Sequence, residues 1–254
     1  MRDTEDEFRI TDVSHRGPIS PVFRNRILAS LSPDALAHVA EHSQRRDMKA
    51  GEVIYENDAQ VTHAVFPEQG VVAIMAEMRD GRSVQQGSVG YEGFVGYAIV
   101  LGGGTALGRS VVLVPGEATW VPIATFDQAL LRFVSVREAM LRYGQAHTIE
   151  LMQLVACNSL HPADQRLSRW LLQTSDRMGS RSFYLTQDVM AKTLGLRRAT
   201  INMICSELME AGAIDYSRGN LAVTDRAKLE ARSCECYDRI RRAYVACHHQ
   251  LGLR

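Results

Sequence analysis

Arg197, Arg198, Thr200 and Asn202 stand within six positions of one another in the C-terminal half of the chain. Two arginines with small polar groups at the start of a helix suit a DNA major groove. Arginine can hold guanine O6 and N7 with two hydrogen bonds, and the helix dipole favours nearby phosphate. Arg218 and Asn220 flank Gly219, a turn sequence that would reach the sugar-phosphate backbone. Thr186 is placed to cap a helix that begins at Gln187, leaving backbone amides there for phosphate, so Thr186 and Gln187 join the residues expected to meet DNA. A solvated basic face on an ordinary helical hairpin is the plainer alternative.

Two other groups could do chemistry. Arg109-Ser110 opens an apolar run, where the arginine would pair either a phosphate or a neighbouring carboxylate. It follows the glycine-rich pieces Gly90–Gly96 and Gly102–Gly104, whose amides can cradle an anion or simply turn the chain. Cys234-Glu235-Cys236 and Cys247-His248-His249 offer thiolates and imidazoles for zinc or for oxidation. A single Cys-x-Cys lacks the second matching pair of a zinc site, and a C-terminal helix with buried thiols accounts for it equally, so no metal and no cofactor is assigned. No nucleophile–base pairing or carboxylate dyad stands out. The expectation is a protein that is not an enzyme.

The elements needed to position these residues are legible. Numbered from Gln187, the small Ala191 is fifth and Gly195 ninth, and the apolar Met190, Leu194, Leu196, Ile201 and Ile204 close a shared core. Helices crossing steeply need a small contact residue and a corner that tolerates positive φ. The stretch reads as a helix-turn-helix, with the arginine-bearing face of its second helix free. Ile214–Val223 reads as strand, turn, strand, a wing directly behind it, and Phe183-Tyr184-Leu185 could add a third strand. Ala163–Asp176, with Leu167, Trp170 and Leu171 on one face, would be the first helix of the same unit.

Upstream the period changes. Short β-rich runs, at Glu52–Tyr55, Thr62–Phe66, Val71–Met78, Ser83–Gly87, Arg109–Val114 and Thr119–Ile123, suggest a jelly roll or small barrel. Ser32-Pro33-Asp34 is a helix start signal before them, with Ser32 as N-cap. From Thr125 to Asn158 the period is helical. Leu141, Gly144, Thr148, Leu151, Val155 and Asn158 form a seam like that of a coiled coil, which would pair two copies or pack on the chain's own β domain. Asn158–Pro162 reads as a hinge. The fold class is α+β, divided into a flexible arm (1–21), a β-roll sensor domain (22–124), a dimerisation helix and hinge (125–160), a winged helix-turn-helix (161–232) and a C-terminal helical tail (233–254).

Charge agrees with this division. Residues 1–160 hold 14 Lys+Arg against 19 Asp+Glu and residues 161–254 hold 15 against 10, so the net-neutral chain is basic where the helix-turn-helix lies. No run approaches a membrane span and the N-terminus lacks an apolar signal core, which leads to a cytoplasmic expectation and no membrane partner. Five cysteines, all from Cys157 onward, argue for free thiols over a disulfide framework.

The order of arm, β-roll, glycine loop with Arg-Ser, long helix, hinge and winged helix-turn-helix resembles the CRP/FNR family of bacterial transcription regulators over about residues 22–230. Cys157–Leu172 and Leu185–Val223 carry the resemblance most specifically. It implies a homodimer on double-stranded DNA, one recognition helix per half of a near-palindromic site, with RNA polymerase a candidate further partner and the effector unknown. Against the family's Ser-Arg-Glu-Thr run, Arg197-Arg198-Ala199-Thr200 keeps the guanine-reading arginine in Arg198 and the phosphate-binding threonine in Thr200, and replaces the glutamate with Ala199. The cyclic-nucleotide pocket of the family carries Gly-Glu, then Arg-Ser. Here Gly96 is followed by Tyr97, which lacks the ribose-binding carboxylate, while Arg109-Ser110 remains. The iron–sulfur branch uses N-terminal cysteines, absent before Cys157. His38, His42 and His63 are the sensor-half imidazoles that could reach a haem.

Overall fold

The computed structural model describes residues 23–249, so the arm read over residues 1–21 lies outside the described residues. Two helices, α1 (Arg26–Ala29) and α2 (Pro33–Glu41), lead into the β-roll. Pro33 takes the first helical position as its fixed φ predicts. Ser32 precedes it but makes no side-chain cap; its hydroxyl lies 3.1 Å from Ser135 Oγ instead.

Seven strands make the roll: β1 (Gln44–Met48), β2 (Val53–Tyr55), β3 (His63–Pro67), β4 (Val71–Glu77), β5 (Ser83–Val89), β6 (Arg109–Val114) and β7 (Gly116–Pro122). They pair antiparallel into two sheets, ordered β1-β7-β3 and β2-β6-β4-β5. Met48, Val65, Val72, Val112 and Trp120 fill the space between them. Short β-rich runs between turn residues mark six of the strands in the sequence. β1 is not among them because QRRDM exposes all but Met48, as suits a charged strand at a sheet edge.

The helical stretch that begins near Thr125 is two helices, α3 (Ile123–Arg132) and α4 (Val134–Leu160). Phe133 sits extended between them at φ −112° and ψ 120°, with its ring 5.6 Å from that of His38. Its packing beside α2 turns the chain before α4 begins. Then come α5 (Ala163–Met178), β8 (Ser182–Tyr184), α6 (Gln187–Leu194), α7 (Arg198–Glu210), β9 (Ile214–Ser217), β10 (Asn220–Val223), α8 (Arg226–Ala231) and α9 (Cys236–His249). β8, β10 and β9 form one small antiparallel sheet.

Two tertiary features tie the halves together. α9 does not trail away from the molecule. It folds back along α4, and Ile240, Tyr244 and Cys247 join Phe94, Met140 and Tyr143 in one core. The winged unit docks on the roll: Val71 and Val114 share a cluster with Leu167 and Leu171, and Trp170 Nε1 donates to Gln85 Oε1 at 3.0 Å.

Candidate nucleic-acid interface and sensor pocket

Thr186 caps α6, its hydroxyl accepting from the Val189 amide at 3.3 Å. Gly195 ends α6 at φ 63°, a backbone that a β-carbon would strain, and α7 starts three residues later. Met190, Ala191, Leu194, Ile201, Ile204, Cys205 and Leu208 are buried between the helices, which leaves the opposite face of α7 outward. Arg197, Arg198, Ala199 and Asn202 are exposed there and Thr200 is half-buried. Gln187 Nε2 donates to Asn202 Oδ1 at 3.1 Å across the corner, and the exposed Arg198 lies 3.5 Å from Asp188. An exposed pair of this kind holds an arginine only loosely. Met203, 55% exposed on the same face, was not singled out by the sequence reading. Helical spacing of four from Ala199 is the signal that finds it, and an apolar side chain there suits a thymine methyl.

β9 and β10 meet in a two-residue turn. Ser217 pairs with Asn220, and Arg218 and Gly219 take φ of 50° and 88°, the left-handed pair that matches the twist of a hairpin. Arg218 and Asn220 are exposed at this tip. The Tyr184 ring covers Gly219, where a β-carbon would come within 2.6 Å of it. The eight residues singled out for DNA thus lie on the helix-turn-helix and the wing behind it.

The four residues singled out for an effector do not come together. Gly96, Tyr97 and Ser110 line a hollow of about 190 Å³ between the roll and α4. Arg109 points to the other face of β6, where its guanidinium meets Glu56 at 2.9 Å and Glu77 at 3.4 Å. Strand alternation decides this, since Ser110 is inward and Arg109 must then be outward. No lysine or arginine lines the hollow. Tyr97, Phe94, Tyr143 and His147 contact one another ring to ring within it. Burial is the main cause that lowers the His147 pKa below its ordinary value. Tyr97 reaches α4 at Gly144, where a β-carbon would collide with the phenolic oxygen.

Deep between the halves lies an ionic group that the sequence reading missed. Arg177 of α5 pairs with Glu92 of the roll at 2.7 Å and with Glu150 of α4 at 2.7 Å, and donates to Ser88 Oγ at 2.6 Å. Tyr244 of α9 donates to Glu150 at 2.6 Å. Burial alone would push the Glu150 carboxyl up; the Arg177 guanidinium and its hydrogen bonds overcome this and hold it below the ordinary value. Nothing local in the sequence marks these five residues, because they come from separate parts of the chain.

The cysteine-histidine group of the C-terminus is divided. Cys247 belongs to the core between α4 and α9, while Cys234 and Cys236 gather with Cys157.

The Crp-like helix-turn-helix domain model matches residues 165–232. No curated protein sequence matches the chain. Solved structures of similar fold include FixK2 from Bradyrhizobium japonicum, at 15% identity and TM-score 0.66 over 76% of this chain and 98% of that one. A transcriptional regulator of the CRP/FNR family from Eubacterium rectale superposes at 14% identity and TM-score 0.61, covering 81% and 96%. The c-di-GMP-responsive global regulator CLP of Xanthomonas campestris does so at 14% identity and TM-score 0.60, covering 76% and 100%. At these identities the likeness is one of fold. No helix among the described residues is long and apolar enough to cross a membrane.

Proposed function

We propose that the chain is a CRP/FNR-like DNA-binding transcription regulator that acts in the cytoplasm as a homodimer and reads a near-palindromic site, one α7 per half-site. The observation that carries this is the outer face of α7, with Arg197, Arg198 and Asn202 exposed and Thr200 half-buried over a packed corner and a wing behind it. Arg198 reads guanine. Thr186 and Thr200 bind phosphate, and Arg218 and Asn220 steady the duplex from the wing. Two-fold symmetry in the protein requires half-sites about 34–36 Å apart.

Support for the dimer comes from α4. Leu141, Thr148, Leu151, Val155 and Asn158 of the expected seam are exposed, while Gly144 is taken by Tyr97 of the same chain. The hollow bears on the effector. With Arg109 engaged by two carboxylates and no cation in the lining, a cyclic phosphate has no partner there. The occupant best suited to it is small and uncharged.

Selection from a randomised duplex library at fixed salt tests this reading. A two-fold symmetric motif is expected. Its absence both with the pure protein and after addition of cell extract overturns the dimeric reader. Calorimetry with cyclic and linear nucleotides is expected to give no heat.

A further inference from the structure

Three thiols and one imidazole from separate stretches converge beneath the hinge. Cys157 lies in the last turn of α4, His161 caps that helix, and Cys234 and Cys236 bracket the entry to α9. Their Sγ and Nδ1 or Nε2 atoms all lie within 4.8 Å of one another. Cys157 Sγ is 3.6 Å from Cys234 Sγ, and Cys236 Sγ is 3.5 Å from His161 Nδ1. A tetrahedral zinc with bonds of about 2.3 Å to sulfur and 2.0–2.1 Å to nitrogen has ligand–ligand edges of about 3.5–3.8 Å. The two contacts match those edges. An iron–sulfur cluster spreads its four ligands over two or more irons, too widely for all of them to lie this close together.

The surroundings are those of a metal site. His161 turns Nδ1 to the thiols and Nε2 to the Glu235 carboxylate at 3.3 Å. A carboxylate on the far nitrogen fixes the tautomer of a metal-binding histidine and raises its basicity. Gln153 Nε2 donates to Cys236 Sγ at 3.1 Å. Arg169, 2% exposed, has its Nε without a hydrogen-bond partner, and so does the half-buried Arg166. Three thiolates and one divalent ion carry a net charge of −1, which such guanidinium groups offset.

The geometry points to a Zn2+ site of Cys157, His161, Cys234 and Cys236 that staples the end of α4 and the hinge to the start of α9. The ion replaces the thiol protons, which leave to solvent, and no redox step is involved. All four positions are filled by protein, so the site is structural, with no open position for substrate. It holds the hinge from which the winged unit departs. Arg166 extends the connection, since its Nη2 donates at 2.8 Å to the carbonyl of Leu194, the last residue of α6.

The test is made on the reduced full-length chain, stripped of metal, with Zn2+ supplied against a colorimetric chelator and Co2+ as a spectroscopic probe. One Zn2+ per chain is expected. Co2+ should give thiolate-to-metal charge transfer and intense tetrahedral ligand-field bands. Cys236→Ser should lose these, and Cys205→Ser and Cys247→Ser should keep them. Glu235→Gln changes an exposed side chain and leaves the fold intact; zinc affinity should fall about 10–100-fold. No uptake from the chelator overturns the site. So do unchanged binding in Cys236→Ser, loss in Cys247→Ser alone, and uptake of iron with acid-labile sulfide. None of these readouts depends on DNA, so the site stands or falls apart from the proposed operator reading.

Discussion

Arg198 is one turn-start side chain, and its chemistry is separable from the fold. It is exposed and its ion pair with Asp188 is loose, so Arg198→Ala leaves the core untouched. Binding to the selected operator should weaken by about 1–3 kcal/mol, with specificity relaxed at one position per half-site. Equal loss on every sequence would make Arg198 a phosphate contact instead. His248 shows a residue effect of another kind. It is 3% exposed, and neither ring nitrogen has a hydrogen-bond partner among the described residues. Burial, with Arg26 nearby, lowers its pKa from 6.5 to about 4. The unfolded chain therefore binds the proton first. Stability should fall as pH drops from 6.5 towards about 4, and His248→Gln should flatten that part of a urea-midpoint profile.

At the scale of elements, α4 serves two packings at once. Ala139, Tyr143, Ala146, Leu154 and Cys157 are buried within the chain, against the roll, α3 and α9, whereas Leu141 and Val155 are 70% and 71% exposed. A helix with apolar residues on an unpaired face is marked for a partner. Leu141→Glu with Val155→Glu should leave helicity and melting nearly unchanged but turn the proposed dimer into monomer in sedimentation. Binding to the symmetric site should fall with it, while half-site contacts persist. A double variant that sediments as a dimer would place the pairing elsewhere. The helix-turn-helix, the wing and six of the seven roll strands were legible as elements, because each carries its own period and turn chemistry. β1 and the break at Phe133 were not. A polar edge strand has no apolar alternation, and the break comes from what the ring packs beside.

Across the whole molecule, the Arg177–Glu92–Glu150 group joins the roll, α4 and the winged unit, and Tyr244 brings α9 into it. Removing one member of a buried pair strands the other charge. Arg177→Met should therefore cost about 3–5 kcal/mol, read as a lower urea midpoint. The acid limb has a definite sign. Glu150 is held below its unfolded value, so its contribution is complete above the ordinary carboxylate range and is lost as pH falls through the lowered pKa. Loss of less than 1 kcal/mol in Arg177→Met would show that the group does not bear on stability. The same side chains meet at the joint between the roll and the winged unit.

Local order along the chain was enough to determine the α+β class, the helix-turn-helix with its wing, and that the face of α7 carrying Arg198 and Asn202 is outward. Periodicity, caps and turn residues are short-range properties, and they act within one element. Three things were decided only by tertiary structure. Arg109 left the effector group because strand alternation on β6 had to bury Ser110. Arg177 found Glu92 and Glu150, 85 and 27 positions away. Cys157 and His161 joined Cys234 and Cys236 only because α9 folds back along α4. Each depends on which elements share a face, and spacing along one element carries no record of that.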